Sequence, residues 1–313
     1  MKWFVTGAAG YLGSVLVEEL LLAGHHVVAL DTFAHGNRSL AALMHRKELT
    51  LVRADAREIS ATNTYVQEAD MVVPLAAIVG APACDAALEE DVEETNIYAV
   101  TRLVDRLAQE QRVLYPNSNS GYGTTPPGTE CTEDMPLHPV SLYGETKHAA
   151  EKVVLRHPRA TVFRFATLFG GSHRMRLDLL VNDFTLRAVR DRCVTLFEPE
   201  ARRNFLHVRD AARAFLHAAE RDDMCGQTYN CGLPDANLTK RELCERIRDV
   251  VGHDFAVNVA ATHADPDRSD YVVSNAKLLA TGWRPRYSLT DGIEELAEMF
   301  RALPFASENR NVW

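Results

Sequence analysis

Residues 2–31, KWFVTGAAGYLGSVLVEELLLAGHHVVALD, constrain the fold more than any other stretch of this 313-residue chain. Lys2–Thr6 is a short apolar run of strand character, carried by Trp3, Phe4 and Val5. It breaks into Gly7-Ala-Ala-Gly10-Tyr-Leu-Gly13. From Leu12 the apolar positions Val15, Leu16, Leu20 and Ala23 recur at helical spacing, and Gly24 stops the helix. His26–Leu30 then predicts a second strand, closed by Asp31. Strand, glycine turn, helix, strand and acid together make one βαβ unit.

Each small residue in that unit has a physical task. Gly7 permits a tight turn, and Gly10, lacking a Cβ, lets a pyrophosphate approach the backbone. Gly13 lets the helix lie close to the strand. The free N–H groups and dipole at the helix start, around Tyr11 and Leu12, then hold the phosphates. Asp31 is placed to accept hydrogen bonds from adenosine ribose hydroxyls. Its carboxylate would repel a 2′-phosphate, so NAD is expected rather than NADP.

Composition narrows the partners. The formal net charge of −9 argues against nucleic acid and against an anionic membrane surface. The six cysteines, at 84, 131, 193, 225, 231 and 244, include no C-x-x-C pair, which predicts neither a zinc site nor a disulfide framework, and no metal is expected. No apolar run approaches the roughly 18 residues of a membrane span. A strand expected from the second residue leaves no room for a signal peptide, so a reducing cytoplasm is the expected compartment.

Further along, Leu49–Val52 reads as a third strand and Ala69–Ala77 as a fourth that runs into small residues. A long helical region is expected over 84–110, and a fifth strand over Arg112–Pro116. Thr124–Pro139 is a Pro- and Thr-rich loop. Ser141 caps a helix over Leu142–His157, and Ala160–Ala166 is a sixth strand. After Phe169 the character changes to basic and polar loops between short helices. Asn204–Arg221 and Thr228–Cys231 read as returns to the main sheet. The expected architecture is a doubly wound parallel α/β sheet of the Rossmann kind over 1–166, with returns near 204–231. A smaller, mainly substrate-binding lobe is expected over 167–313.

Tyr143-Gly-Glu-Thr-Lys147 places a phenol and an ammonium one helical turn apart on one face. A phenol with a reference pKa of about 10 needs help to act as a base. The Lys147 ammonium and a positive nicotinamide ring both favour the phenolate. Ser118 lies at the expected end of strand five, four residues before Tyr122-Gly123.

These residues in this order, opening with the GxxGxxG spacing, resemble the extended branch of the short-chain dehydrogenase/reductase superfamily. That branch holds the NAD-dependent nucleotide-sugar epimerases and dehydratases. The resemblance implies Ser118, Tyr143 and Lys147 as the catalytic set, with the serine hydroxyl sharing the substrate oxygen. It implies that Asp55 and Ala56 contact the adenine, with a helix-capping Asp55 as the lesser alternative. Leu75, Ala76 and Ala77 would pass beneath the cofactor, with Pro74 where the family usually has His. Asn96 would brace the cofactor-side backbone, or face solvent from its helix. Arg164–Gly170 and Arg203–Val208 match two further family motifs. Arg203 would bind the substrate diphosphate, with Asn119, Thr167, Asn182 and Arg268 as further substrate residues. Thr167 stands where the family has Asn.

Family dehydratases follow the Ser or Thr with Asp-Glu, and here the pair is Asn119-Ser120. Neither side chain is a base at neutral pH. A dehydratase is therefore disfavoured. On the nucleoside-diphosphate sugar that the resemblance implies as substrate, hydride is expected to leave C4, as in an epimerase or dehydrogenase. His138 could assist proton transfer or simply face solvent. The segments RMRLDLLVNDF and RSDYVVSNAKL are similar to those of GDP-heptose 4-dehydrogenases. A dehydratase remains an alternative, as does a non-catalytic NAD-sensing protein on the same fold. The family pairs two long helices per subunit, so a homodimer through 84–110 and 142–157 is expected.

Overall fold

The computed structural model describes residues 1–36, 38–58, 63–126, 128–260 and 269–304. Arg268 and most of the charged loop before Asp270 lie outside the described residues. Seven strands, Lys2–Thr6 (β1), His26–Asp31 (β2), Leu49–Arg53 (β3), Met71–Pro74 (β4), Arg112–Ser118 (β5), Ala160–Phe165 (β6) and Gln227–Cys231 (β7), form one sheet in the order β7-β6-β5-β4-β1-β2-β3. Every neighbouring pair is parallel. The chain winds from β1 outward to β3, then crosses back to lay β4 on the other side of β1. Connections leave the carboxyl ends of β1 and β4 in opposite directions, and a crevice opens between them.

Both faces of the sheet are covered, which is why its strands are apolar almost throughout. The helices that matter here are Tyr11–Leu22 (α1), 89–104 (α2), Leu142–Val154 (α3), Leu180–Arg190 (α4), Val208–Ala219 (α5), Lys240–Val251 (α6) and Leu289–Ala302 (α7). Trp3 and Val5 of β1 pack with Val15, Leu16 and Leu20 of α1 and with Phe215 of α5. Phe4, one residue away, points to the opposite face with Val72 and Leu103. Val100 and Val104 of α2 and Ala150 and Val154 of α3 cover Val113, Tyr115 and Val162 on that face. Helices α4, α6 and α7 belong to the C-terminal layer, and no described helix is long and apolar enough to cross a membrane.

Three expected boundaries change. The helical region over 84–110 is two pieces, Ala81–Ala86 and 89–104, because Ala87 adopts an extended backbone (φ −90°, ψ 164°). Within α2, Glu94–Tyr98 forms a π-turn that carries Asn96. Helix α3 ends at Val154 rather than His157. The strand at Asn204 does not return to the main sheet. Arg202–His207 instead joins a three-stranded sheet between Thr167–Phe169 and Asn237–Thr239. Strand β7 already occupies the edge beside β6, so only the continuation of the chain past β6 is left to pair with it.

Candidate active site

The glycine turn closes as tightly as its sequence requires. Gly7 has φ +65°, and a Cβ there would stand 2.7 Å from the Ala76 nitrogen. A Cβ on Gly13 would stand 2.2 Å from the Gly7 carbonyl oxygen. Neither position can carry a side chain without moving backbone. Asp31 holds the turn from the second strand: Oδ2 accepts from the Ala9 N–H at 2.9 Å and Oδ1 from the Phe33 N–H at 2.7 Å. Helix α1 begins at Tyr11 with no side-chain cap and no acid in its first turn. Its orphan N–H groups therefore face the crevice as an anion site. A turn free of side chains, ending in the free N–H groups of a helix start, fits a dinucleotide.

One cleft of about 670 Å³ runs over the carboxyl ends of the strands. Gly7, Gly10, Tyr11, Leu12, Gly13 and Asp31 line it at one end, with Asp55 and Ala56 nearby. Leu75, Ala76 and Ala77 form its floor after β4. The Leu75 N–H donates to the Thr6 carbonyl and the Ala76 N–H to the Thr6 hydroxyl, both at 3.2 Å, which ties this floor to β1. Asp55 accepts from the Arg57 guanidinium at 2.7 Å, and that cation holds its carboxyl below the usual carboxylate range.

Ser118, Tyr143 and Lys147 line the other part of the same cleft. Ser141 Oγ accepts from the Gly144 N–H at 3.2 Å, fixing the start of α3 and so the turn that carries Tyr143. Ser118 ends β5, and its Oγ accepts from both the N–H (3.2 Å) and the hydroxyl (2.9 Å) of Ser120. With both lone pairs engaged, the Ser118 proton is the part left to donate. Lys147 is 5% exposed, and its Nζ lies 4.2 Å from the centre of the Tyr115 ring. Burial pulls its ammonium down to about 7, against the opposing pull of Glu151 and Cys84.

A buried polar chain stands behind this trio. Glu151, one turn beyond Lys147 on α3, forms a 2.7 Å ion pair with Arg164 of β6. Asn117 donates to the same carboxylate, and its Oδ1 accepts from the Ser118 N–H at 2.8 Å. Asn96 sits behind the cleft, 1% exposed, rather than in it. Its amide accepts from the Ile78 N–H (2.8 Å) and donates to the Ile78 carbonyl (3.0 Å) and the Thr146 hydroxyl (3.2 Å). It thus joins the loop after β4 to α3.

The expected substrate residues scatter. Thr167 lines the cleft. Asn119 is fully buried, so a bound sugar cannot touch it in this arrangement. Asn182, also fully buried, accepts from the Gly170 N–H (3.1 Å) and donates to the Arg176 carbonyl (2.8 Å); both ends of its amide serve the fold. Arg203 is 4% exposed, donates to the Arg202 and Ser269 carbonyls, and lies 5.6 Å from the centre of the Tyr271 ring. Tyr271 faces the cleft and Arg203 stands behind it. The His138 side chain is not part of the cleft, and the His138 N–H donates to the Gly121 carbonyl.

Sequence reasoning missed Arg174 and Arg176, which both line the cleft while 8% and 9% exposed. The signal available was the pair of arginines in RMR; the bends that bring both into the cleft leave no local pattern. Sequence reasoning used Ser120 only to argue against a dehydratase and did not single out Tyr271; both line the cleft.

Residues 3–232 match the NAD dependent epimerase/dehydratase family. The low-salt glycan biosynthesis protein Agl12 of Haloferax volcanii is 29% identical over 313 residues, covering 96% of this chain and 98% of that protein. A UDP-glucose 4-epimerase of Mycolicibacterium smegmatis is 26% identical over 318 residues, covering 96% of this chain and 99% of that protein. Among solved structures, the Thermus thermophilus UDP-glucose 4-epimerase in complex with NAD superposes with a TM-score of 0.82 at 26% identity, covering 96% of this chain and 99% of that one.

Proposed function

The chain belongs to the NAD dependent epimerase/dehydratase family, with NAD as its cofactor, and we propose that it removes hydride from C4 of a nucleoside-diphosphate sugar. Tyr143 takes the proton of the sugar hydroxyl, Ser118 donates a hydrogen bond to the same oxygen, and Lys147 favours the phenolate. Bound NAD supplies the hydride acceptor. The glycine turn, Asp31, Asp55, Ala56 and the Leu75–Ala77 floor hold it in place.

One observation carries the reading of reaction type. Among the described residues lining the cleft, the only carboxylates are Asp31, Asp55 and Asp91, none of them from β5 or α3, which carry the Ser118, Tyr143 and Lys147 trio. Removing water across C5–C6 needs an acid and a base at the sugar, and Asn119-Ser120 supplies neither. Oxidation at C4 needs only the trio. The outcome is then either return of hydride to the other face or release of the keto sugar.

A panel of UDP-, GDP-, CDP- and dTDP-sugars tests this, with products identified by mass and NMR in deuterium oxide. The expected product is inverted or oxidised at C4 with its water content intact. Loss of one water would overturn the reading in favour of a dehydratase, and inertness toward every sugar would favour an NAD-sensing protein. The same proposal includes a second copy of the chain on α2 and α3. Leu88, Tyr98, Val140 and Leu155 are exposed at or beside these helices. Light scattering should report a dimer that Tyr98→Asp weakens.

A further inference from the structure

The loop 170–179 brings two guanidinium groups into the cleft, and the chemistry above uses neither. This loop is bolted to the first turn of α1. The Ser172 hydroxyl donates to the Tyr11 carbonyl and the Tyr11 hydroxyl to the Gly170 carbonyl, each at 2.7 Å. Asn182 holds the Arg176 carbonyl at 2.8 Å. The arginines are therefore fixed opposite the helix end that presents its N–H groups to the crevice.

Their reach is visible on both sides. A Cβ placed on Gly80, in the loop after β4, would stand 3.8 Å from Arg176 Nη2. His35, beside Asp31, is held below its ordinary pKa by burial and by its proximity to Arg174 and Arg176. The pair thus spans the adenosine end of the cleft, from Asp31 toward the floor. Asp178 pairs with Arg176 at 2.5 Å, and Asp31 already accepts two backbone N–H groups. Arginine cannot shed its charge, so two largely buried guanidiniums lining one cleft favour an anion between them and the helix end.

We propose that Arg174 and Arg176 bind the pyrophosphate of NAD from the side opposite the glycine turn, so that the C-terminal layer locks the cofactor in the cleft between turnovers. The proposal rests on the NAD reading above. It predicts a resident cofactor, since release requires the loop 170–179 to leave α1. Two other anions share this chemistry, the diphosphate of the sugar substrate and the 2′-phosphate of NADP. The attachment of their loop to the first turn of α1 favours the cofactor pyrophosphate.

The test uses the full chain and the variants Arg174→Gln, Arg176→Gln and Arg176→Lys. NAD retained through gel filtration is quantified by chromatography of the acid extract, and stripped protein is titrated with ADP-ribose, adenosine and NADP by calorimetry. Wild type should retain NAD. Each glutamine variant should bind ADP-ribose about 10- to 100-fold more weakly, the loss expected for one charge-assisted contact, with adenosine affinity unchanged. Arg176→Lys keeps a charge beside Asp178 and should fall between wild type and Arg176→Gln, which separates binding from misfolding. Unchanged ADP-ribose affinity, a loss confined to the sugar nucleotide's KM, or a loss confined to NADP would each overturn the proposal. Failure of wild type to bind NAD or ADP-ribose would instead overturn the reading beneath it.

Discussion

The two walls of the cleft are built by different means. The cofactor wall is backbone. Gly7 lies against the Ala76 backbone and Gly13 against Gly7 so closely that neither glycine can take a Cβ, and Asp31 fastens the turn from only 22 residues away. The wall that carries the proposed catalytic residues, the catalytic wall, is side chains drawn from separate elements. Ser118 ends β5, Tyr143 and Lys147 ride on α3, and Glu151 links that helix to Arg164 and Asn117. A backbone wall sets affinity and tolerates no added atom. A side-chain wall sets rate, and a substitution there can leave the cradle intact. Damage to one wall should therefore register in NAD binding and damage to the other in turnover.

The sharpest way to break that contrast is Tyr143→Phe. It removes one oxygen from the catalytic wall and should lower kcat by about 10³-fold while NAD affinity stays within about twofold. Ser118→Ala should lower kcat by about 10²-fold, because it removes one donor to the developing alkoxide. Steady-state kinetics beside calorimetric NAD titration would check both. A parallel fall in NAD affinity would show that the walls are not separable.

Gly13→Ala attacks the other wall. Its methyl would have to displace the Gly7 carbonyl, which lies 2.2 Å from the new Cβ. Overpacking of this kind costs about 1–3 kcal/mol. If that strain falls on the phosphate cradle, NAD binds roughly 10- to 100-fold more weakly, and saturating NAD restores kcat. A kcat that stays low at saturating NAD would contradict the division.

The same contrast explains what the sequence could show. The βαβ unit was legible because its contacts are local and its glycines answer to sterics alone. The proposed catalytic trio could be picked out as residue types at fixed spacing on predicted elements, and the three residues line one cleft. Arg203 was not, because its placement depends on register: it lies opposite Leu238 in a strand pair that no local pattern announces. That register puts it behind Tyr271. The role of the loop 170–179 depends on a hydrogen bond between Ser172 and Tyr11, 161 residues apart. The π-turn around Asn96 accompanies its hydrogen bonds to Ile78 and to Thr146 of α3, and apolar periodicity carries no trace of it or of the extended Ala87.

The smallest expected effect probes the charge buried in the catalytic wall. Lys147 is pulled down to about 7 by burial, from 10.5 in an exposed lysine. Below pH 7 the folded and unfolded chains both carry the proton, and the buried ammonium destabilises the fold in full. Between pH 7 and about 10.5 the unfolded chain binds the proton and the folded chain does not. Stability of the wild type should therefore rise with pH across that window, by at most about 1.4 kcal/mol per pH unit from this group. Lys147→Met fills similar space without a charge and should lack the rise. In thermal melts without ligand, the margin by which the methionine variant exceeds wild type should be widest at pH 6 and narrow steadily toward pH 9. A margin that stays constant over that range would mean that Lys147 remains charged in the fold. The catalytic wall would then hold its ammonium by Glu151 and the Tyr115 ring strongly enough to offset burial.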